Sequence, residues 1–338
     1  MTVQIKHFTE AQKAALIDSF KSVISNPYAQ YYEFKEEVKN LVKTLPDFMH
    51  NLCNSIINER KMDELAHFIR NCPIDTNVEK FDYHNLSADK YDKKKTFISE
   101  TFLQVFAELT DTPIFRYDTS GLIVQNSFFY EVYGIIQHKK PGHIKDVAWH
   151  NDENHNKVMP DYLVLLGMRS CDVNLVFTSL IDCREVLKNL TPKVQETLRK
   201  KYYYDFSGKN DTPSFHSDII IDKAPILIDA HCFRYCSTRT QCLTDSPVEA
   251  RDALIALHDA IVKSPKERFQ ITEGDLLCFS NRHNLHNRDI IKIENWEEAH
   301  HRWLMKTFNF QDSHKAKEQA VYFVDNKPFV VRSEFTKS

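Results

Sequence analysis

Residues 273–289 read EGDLLCFSNRHNLHNRD. Gly274-Asp275 is a turn signal, LLCF is a short apolar strand, and two histidines, His283 and His286, follow it. Similar short β-rich runs lie on either side. They are TPIFRYD (112–118), GLIVQNSFFYEVY (121–133), DYLVLLGMRS (161–170), VNLVFTSLI (173–181), APILIDAHCF (224–233) and RWLMKTFNF (302–310). Several strands at irregular spacing, separated by long insertions, predict a sandwich or jelly roll. In such a fold distant strands become neighbours. A histidine late in the chain can then complete a site begun much earlier.

The rest of the chain frames this core. TEAQKAALIDSFKSVIS (9–25) opens on a cap-like Thr9 and carries apolar residues at helical spacing. Two more helical stretches meet at Pro46, which suits a first turn. SPVEARDALIALHDAIV (246–262) reads as a helix with Ser246 as N-cap, Pro247 in the first turn and Glu249 completing a capping box. The C-terminal AVYFVDNKPFVV reads as a hairpin around Asp325-Asn326. The expectation is an α+β chain with one domain over 1–338. Residues 1–110 are mainly helical, 112–338 form the β core, and a helix is inserted near 246–263. The polar, aperiodic stretch 205–222 is the candidate lid.

Composition narrows the function. The 338 residues carry a formal net charge of −3, with 27% charged residues of mixed sign, which excludes the basic excess of a nucleic-acid or membrane surface. No apolar run reaches the length of a membrane span, and MTVQIKHFTEAQ lacks a signal core, so a cytoplasmic protein is expected. Eight cysteines in a chain of this length do not form a disulfide framework. The densest group, HCFRYCSTRTQC (231–242), lacks paired CxxC spacing and reads as ordinary thiols.

WHNDENH (149–155) supplies the early half of a site. In extended backbone His150 and Asp152 point to one face, and Glu153 to the other. An isolated HxD is usually plain loop, and a zinc hydrolase could also use two histidines and an acid, although HExxH is absent. A late histidine, His283 or His286, can supply a third ligand. Two histidines and one carboxylate on one face are the facial triad of non-haem Fe(II) oxygenases. Arg302 and Lys306 then share one face of the following strand. A buried arginine there needs an anion, and a guanidinium grips a carboxylate with two parallel bonds. Fe(II) with 2-oxoglutarate accounts for all of these residues together.

The order WHNDEN, PDYLVLLGMRS, GDLLCFSNRHNLHNRD, RWLMK resembles the clavaminate synthase-like branch of the Fe(II)/2-oxoglutarate oxygenases, within it most of all the bacterial hydroxylases of free arginine, asparagine and lysine. The resemblance spans most of the chain and implies a double-stranded β-helix (jelly-roll, cupin-like) core. It assigns His150, Asp152 and His286 to iron and Arg302 to the distal carboxylate of 2-oxoglutarate. His286 is preferred to His283 because the family's histidine is followed two residues later by arginine, here Arg288. The implied reaction couples decarboxylation of 2-oxoglutarate, with O2, to hydroxylation of an unactivated C–H, releasing succinate and CO2. A filled carboxylate position at Asp152 argues against halogenation.

For the substrate, the resemblance implies a free L-amino acid. Gln125 matches a residue that contacts the α-carboxylate. Asp205 and Ser207 match a lid pair that meets basic side chains, and Asp229 matches an acid for a cationic head. Lys306 replaces an arginine of relatives and is expected to meet the substrate carboxylate. Two acids near one pocket favour a cation, so L-lysine is the first expectation. L-arginine and L-asparagine come second, because His231 stands where arginine hydroxylases place a second acid. Desaturation is a further outcome, and a catalytically silent jelly-roll binding protein is the alternative outside enzymes. The histidines His138, His143, His155, His283, His300 and His301 are expected in surface or loop roles.

Overall fold

The computed structural model describes residues 3–82, 86–118, 127–134, 147–205, 223–242 and 245–332. Among these, two large sheets dominate. The larger runs in the order Ile5–His7, Ala66–Arg70, Leu276–Ser280, Tyr162–Arg169, Trp303–Asn309, Ile114–Asp118, Lys327–Arg332 and Phe323–Val324, with Tyr130–Tyr133 also pairing Trp303–Asn309. The smaller sheet is Glu267–Phe269, Leu175–Asp182, Asn284–Lys292 and Val147–His150. The protein is thus a mixed α/β fold.

The central strands read as continuous apolar runs because they are buried on both faces. Period-2 alternation sends Val164, Leu166, Leu276, Cys278, Trp303 and Met305 into one core with the N-terminal helices. Leu163, Leu165, Leu277, Phe279, Leu304 and Phe308 enter another, where Leu180 and Phe269 of the smaller sheet meet them. Lys306 falls on this second, inward face between Leu304 and Phe308, where a charge needs a partner.

The helices read from the sequence form, but both prolines sit one position earlier than the expected first turn, and the short helices Cys183–Lys188, Pro192–Leu198, Trp296–His301 and Ser313–Glu318 also interrupt the strands. Thr9 caps Glu10–Phe20 in a full capping box with Gln12, and Pro46 is the N-cap of Asp47–Lys61. The inserted helix is Val248–Lys263, but Pro247 is its N-cap, with no side-chain cap. Ser246 does not cap it because its hydroxyl donates to Tyr202 O instead. The turn before LLCF forms at Gly274, whose φ of +77° suits glycine, and the hairpin turns at Asn326, φ 61°.

The run APILIDAHCF is not the strand its composition predicts. Leu227 pairs with Phe233 in an isolated bridge, so the segment doubles back on itself with Asp229 near its tip. Among the described residues no helix is long and apolar enough to cross a membrane.

Candidate active site

His150 ends strand Val147–His150, and His286 lies opposite it in the antiparallel register of the smaller sheet. The imidazole centroids are 4.1 Å apart. Asp152 follows in the turn after His150, and the ligand atoms of His150, Asp152 and His286 lie within 4.8 Å of one another. Segments more than a hundred residues apart in sequence therefore deliver three donors to one point.

The local hydrogen bonds prepare this group for a cation. His150 Nδ1 donates to the carbonyl of Ala148 at 2.7 Å, which leaves Nε2 with the lone pair. Nε2 is 3.0 Å from Asp152 Oδ1, and His286 Nε2 is 3.6 Å from the same oxygen. A lone pair facing a carboxylate at that distance calls for a positive charge between them. Burial and the nearby His150 lower the His286 pKa to about 4, so its ring is neutral and fit to ligate. Burial pushes the Asp152 carboxyl up, but the Lys306 ammonium outweighs it and holds it well below the usual range. Lys306 Nζ sits 2.7 Å from Asp152 Oδ2. A hard and borderline donor set of two imidazoles and one carboxylate suits Fe(II).

Three asparagines lock the turn in place, and the sequence reading missed them. The Asp152 N–H donates to Asn281 Oδ1 at 2.8 Å, and Asn281 Nδ2 donates back to Asp152 O at 3.1 Å. Asn151 Nδ2 donates to Asn281 O and Asn284 O, while its Oδ1 accepts from Tyr235 N. All three asparagines are fully buried. Their only signal in sequence is position, one inside HND and two flanking His283.

Glu153 adopts a left-handed φ of 55° and stays outside the triad. Its carboxylate accepts from Asn156 Nδ2. Burial and the Asp152 charge raise its pKa to about 7. His155 is buried rather than superficial, and desolvation together with Arg239 and Arg234 lowers it to about 3.

Arg302 is buried just before strand Trp303–Asn309, on the inward side shared with Lys306. Burial and the charge of Arg288 lower its pKa to about 9, so it remains a cation at neutral pH. Among the described residues no carboxylate pairs with it. A buried guanidinium left without an internal counter-charge fits a carboxylate ligand.

The substrate candidates separate. Asp205 is buried, and burial raises its pKa against the opposing pull of Arg239, Asn154 and Arg234. It is already engaged: Oδ2 accepts from Asn154 Nδ2 at 2.5 Å, and Oδ1 lies 3.3 Å from Arg239 Nε. Asp229 does not join the triad. Its Oδ1 accepts from the backbone of His231 and Cys232, and it groups with Cys232 and His283. His283 turns that way too, with Nε2 at 2.9 Å from Cys232 Sγ. Cys236 and Cys242 lie elsewhere, beside Thr238 and in the short ladder with Tyr203. Gln125, Ser207, His138, His143 and residues 206–222 of the lid lie outside the described residues.

A search of curated protein sequences finds no match. Solved structures do match, over nearly the whole chain. Asparagine oxygenase in complex with Fe(II), (2S,3S)-3-hydroxyasparagine and succinate superposes with a TM-score of 0.70 at 16% identity, covering 97% of this chain and 99% of that one. The non-heme iron oxygenase OrfP with Fe and L-Arg gives 0.71 at 15% identity over 98% and 100%. OrfP with Fe and alpha-ketoglutaric acid gives 0.70 at 16% over 94% and 97%. At such identities the likeness establishes the fold. The sequence profile described as "Taurine catabolism dioxygenase TauD, TfdA family" matches residues 98–308, which contain His150, Asp152, His286 and Arg302. With the profile matched over well more than half its length, the chain belongs to the TauD/TfdA family of dioxygenases that use Fe(II), 2-oxoglutarate and O2.

Proposed function

We propose that this dioxygenase hydroxylates an unactivated C–H of a free L-amino acid, with L-lysine as the first candidate. The two facing sheets are then a double-stranded β-helix, and the chain works as one catalytic domain. The observation that carries the reading is the meeting of His150, Asp152 and His286, together with the buried Arg302 that has no internal carboxylate among the described residues. His150, Asp152 and His286 would hold Fe(II), which when bound with 2-oxoglutarate supplies O2 activation coupled to release of succinate and CO2. Arg302 would anchor the distal carboxylate of 2-oxoglutarate. Asn281 and Asn151 keep Asp152 aimed, and Lys306 neutralises its outer oxygen and is available to a substrate carboxylate. Gln125 and Ser207 are assigned to the substrate on the resemblance alone. Eight unbridged cysteines favour a reducing, cytoplasmic setting.

The lysine reading rests on Asp205. That carboxylate already faces Arg239, which favours a second reading, a substrate with a neutral side chain such as L-asparagine. Asp229, turned toward Cys232, gives lysine and L-arginine no further support. Succinate release measured with Fe(II), 2-oxoglutarate, ascorbate and each proteinogenic amino acid in turn tests the proposal. Coupled turnover with lysine supports it in full. Turnover with arginine or asparagine replaces the substrate and keeps the reaction. No stimulation by any amino acid, free or carrier-bound, in iron-loaded protein overturns the proposal in favour of a binding role.

A further inference from the structure

The segment 227–233 closes on itself through the Leu227–Phe233 bridge and the bond from Ile228 N to Cys232 O. It is clamped to the turn after Ser280, because Phe233 N donates to Arg282 O. That turn is fixed in its own right, since Cys183 N donates to His283 O. Two segments some fifty residues apart are thus held face to face by backbone bonds. Their side chains bring an unusual set together: the Asp229 carboxylate, the Cys232 thiol and the His283 imidazole have ligand atoms within 4.8 Å of one another.

We propose that Asp229, Cys232 and His283 form a second metal site, distinct from the His150–Asp152–His286 group, that takes zinc(II) as a structural ion. His231 lies beside His283 with ring centroids 4.5 Å apart but is not among the three residues whose ligand atoms converge, so the fourth position is left to solvent. Sulfur, imidazole and carboxylate donors in a tetrahedral set are zinc's preferred company. The inference does not depend on the amino-acid hydroxylase reading.

The arrangement of protons supports it. Cys232 Sγ lies 2.9 Å from His283 Nε2 and also interacts with the Asp229 carboxylate, so one thiol proton faces two acceptors. Ser280 Oγ, 2.9 Å from His283 Nδ1, orients the ring as the outer partner of a metal-bound histidine does. Asp229 Oδ1 is held by two backbone N–H groups, which fixes the carboxylate. Binding must expel the Cys232 thiol proton, because the thiolate is the form that ligates a metal. Zinc(II) with one thiolate and one carboxylate is electrically balanced. The ion would tie segment 227–233 to the turn that carries Asn281, the residue that aims Asp152, and that leads into His286.

Cobalt(II) added anaerobically to the metal-free full chain separates the two sites, because only this one has sulfur. A thiolate-to-cobalt charge-transfer band is expected in the near ultraviolet. It should persist in Asp152→Ala, disappear in Cys232→Ser and His283→Gln, and be displaced by zinc(II). Ser280→Ala should weaken zinc binding by roughly tenfold to a hundredfold. Absence of the band in folded wild-type protein overturns the proposal, as does its survival in Cys232→Ser. Should Cys232→Ser fail to fold by circular dichroism, His283→Gln decides: a band that survives there overturns the site, and a band lost there supports it.

Discussion

Lys94 and Arg302 are both buried cations, and the fold surrounds them in opposite ways. Lys94 contacts Asp75 at 2.5 Å, Glu100 at 2.7 Å and the carbonyl of Thr96 at 2.5 Å. Asp75 in turn accepts from Thr96, Ile98 and Ser99. Burial opposes the Lys94 charge, yet the two carboxylates prevail and its pKa is raised. Arg302 has no such shell among the described residues; burial and Arg288 both lower it. A charge satisfied from within belongs to the architecture. A buried charge left open is set for a ligand. The difference lies in the partners, since both groups are equally withdrawn from water.

The contrast can be broken by exchanging the roles experimentally. The largest effect is expected from Lys94→Met, which strands two buried carboxylates. It should cost about 3–5 kcal/mol of unfolding free energy in urea titrations. A loss under about 1 kcal/mol would show the cluster to be ornamental rather than structural.

Arg302→Leu should behave in the reverse manner. Removing a buried, uncompensated charge should leave stability unchanged or raise it, while the response to cosubstrate disappears. In iron-loaded, oxygen-free wild type, 2-oxoglutarate at about a hundred times its Kd should stabilise the protein by about 2.7 kcal/mol. The variant should gain nothing. Equal stabilisation in both would remove Arg302 from the cosubstrate site.

His67 is an intermediate case and gives the smallest effect. Its Nδ1 meets Glu59 at 3.1 Å, while its Nε2 is buried without a partner. Burial and Arg60 lower its pKa to about 4 from the usual 6.5, with Glu59 opposing. Below that usual value the unfolded chain takes up a proton that the folded chain refuses. The associated stability is complete above about pH 6.5 and falls as pH drops toward 4. His67→Gln should therefore lose less stability than wild type when urea midpoints at neutral and mildly acidic pH are compared. Identical slopes would mean that His67 titrates normally in the fold.

Much of the candidate site was legible because it rests on local rules. His-x-Asp at a strand end, a histidine after an apolar strand and an Arg–Lys pair at even spacing were readable as local pattern, although Asp152 sits in the turn beyond its strand and Arg302 just before its own, outside extended alternation. The asparagine lock was not legible, because Asn151 and Asn281 differ in no sequence property from turn residues. Nor could the sequence show that APILIDAHCF folds back and carries Asp229 to Cys232 and His283. β-branched and apolar composition describes a strand and a tight reversal with an exposed tip equally well. Ser246 fits a cap by spacing, yet Tyr202 O claims its hydroxyl from another element.

The amino-acid sequence by itself determined the donor types, their order along the chain and the alternation that turns them inward, since these depend on neighbours a few residues away. Tertiary structure alone decided which acid serves which cation: Asp152 with Lys306, Asp205 with Arg239, Asp229 beside a thiol, and Arg302 with none among the described residues. Charge pairing acts over a few ångströms of space, and strand register, rather than distance in sequence, sets which side chains come that close.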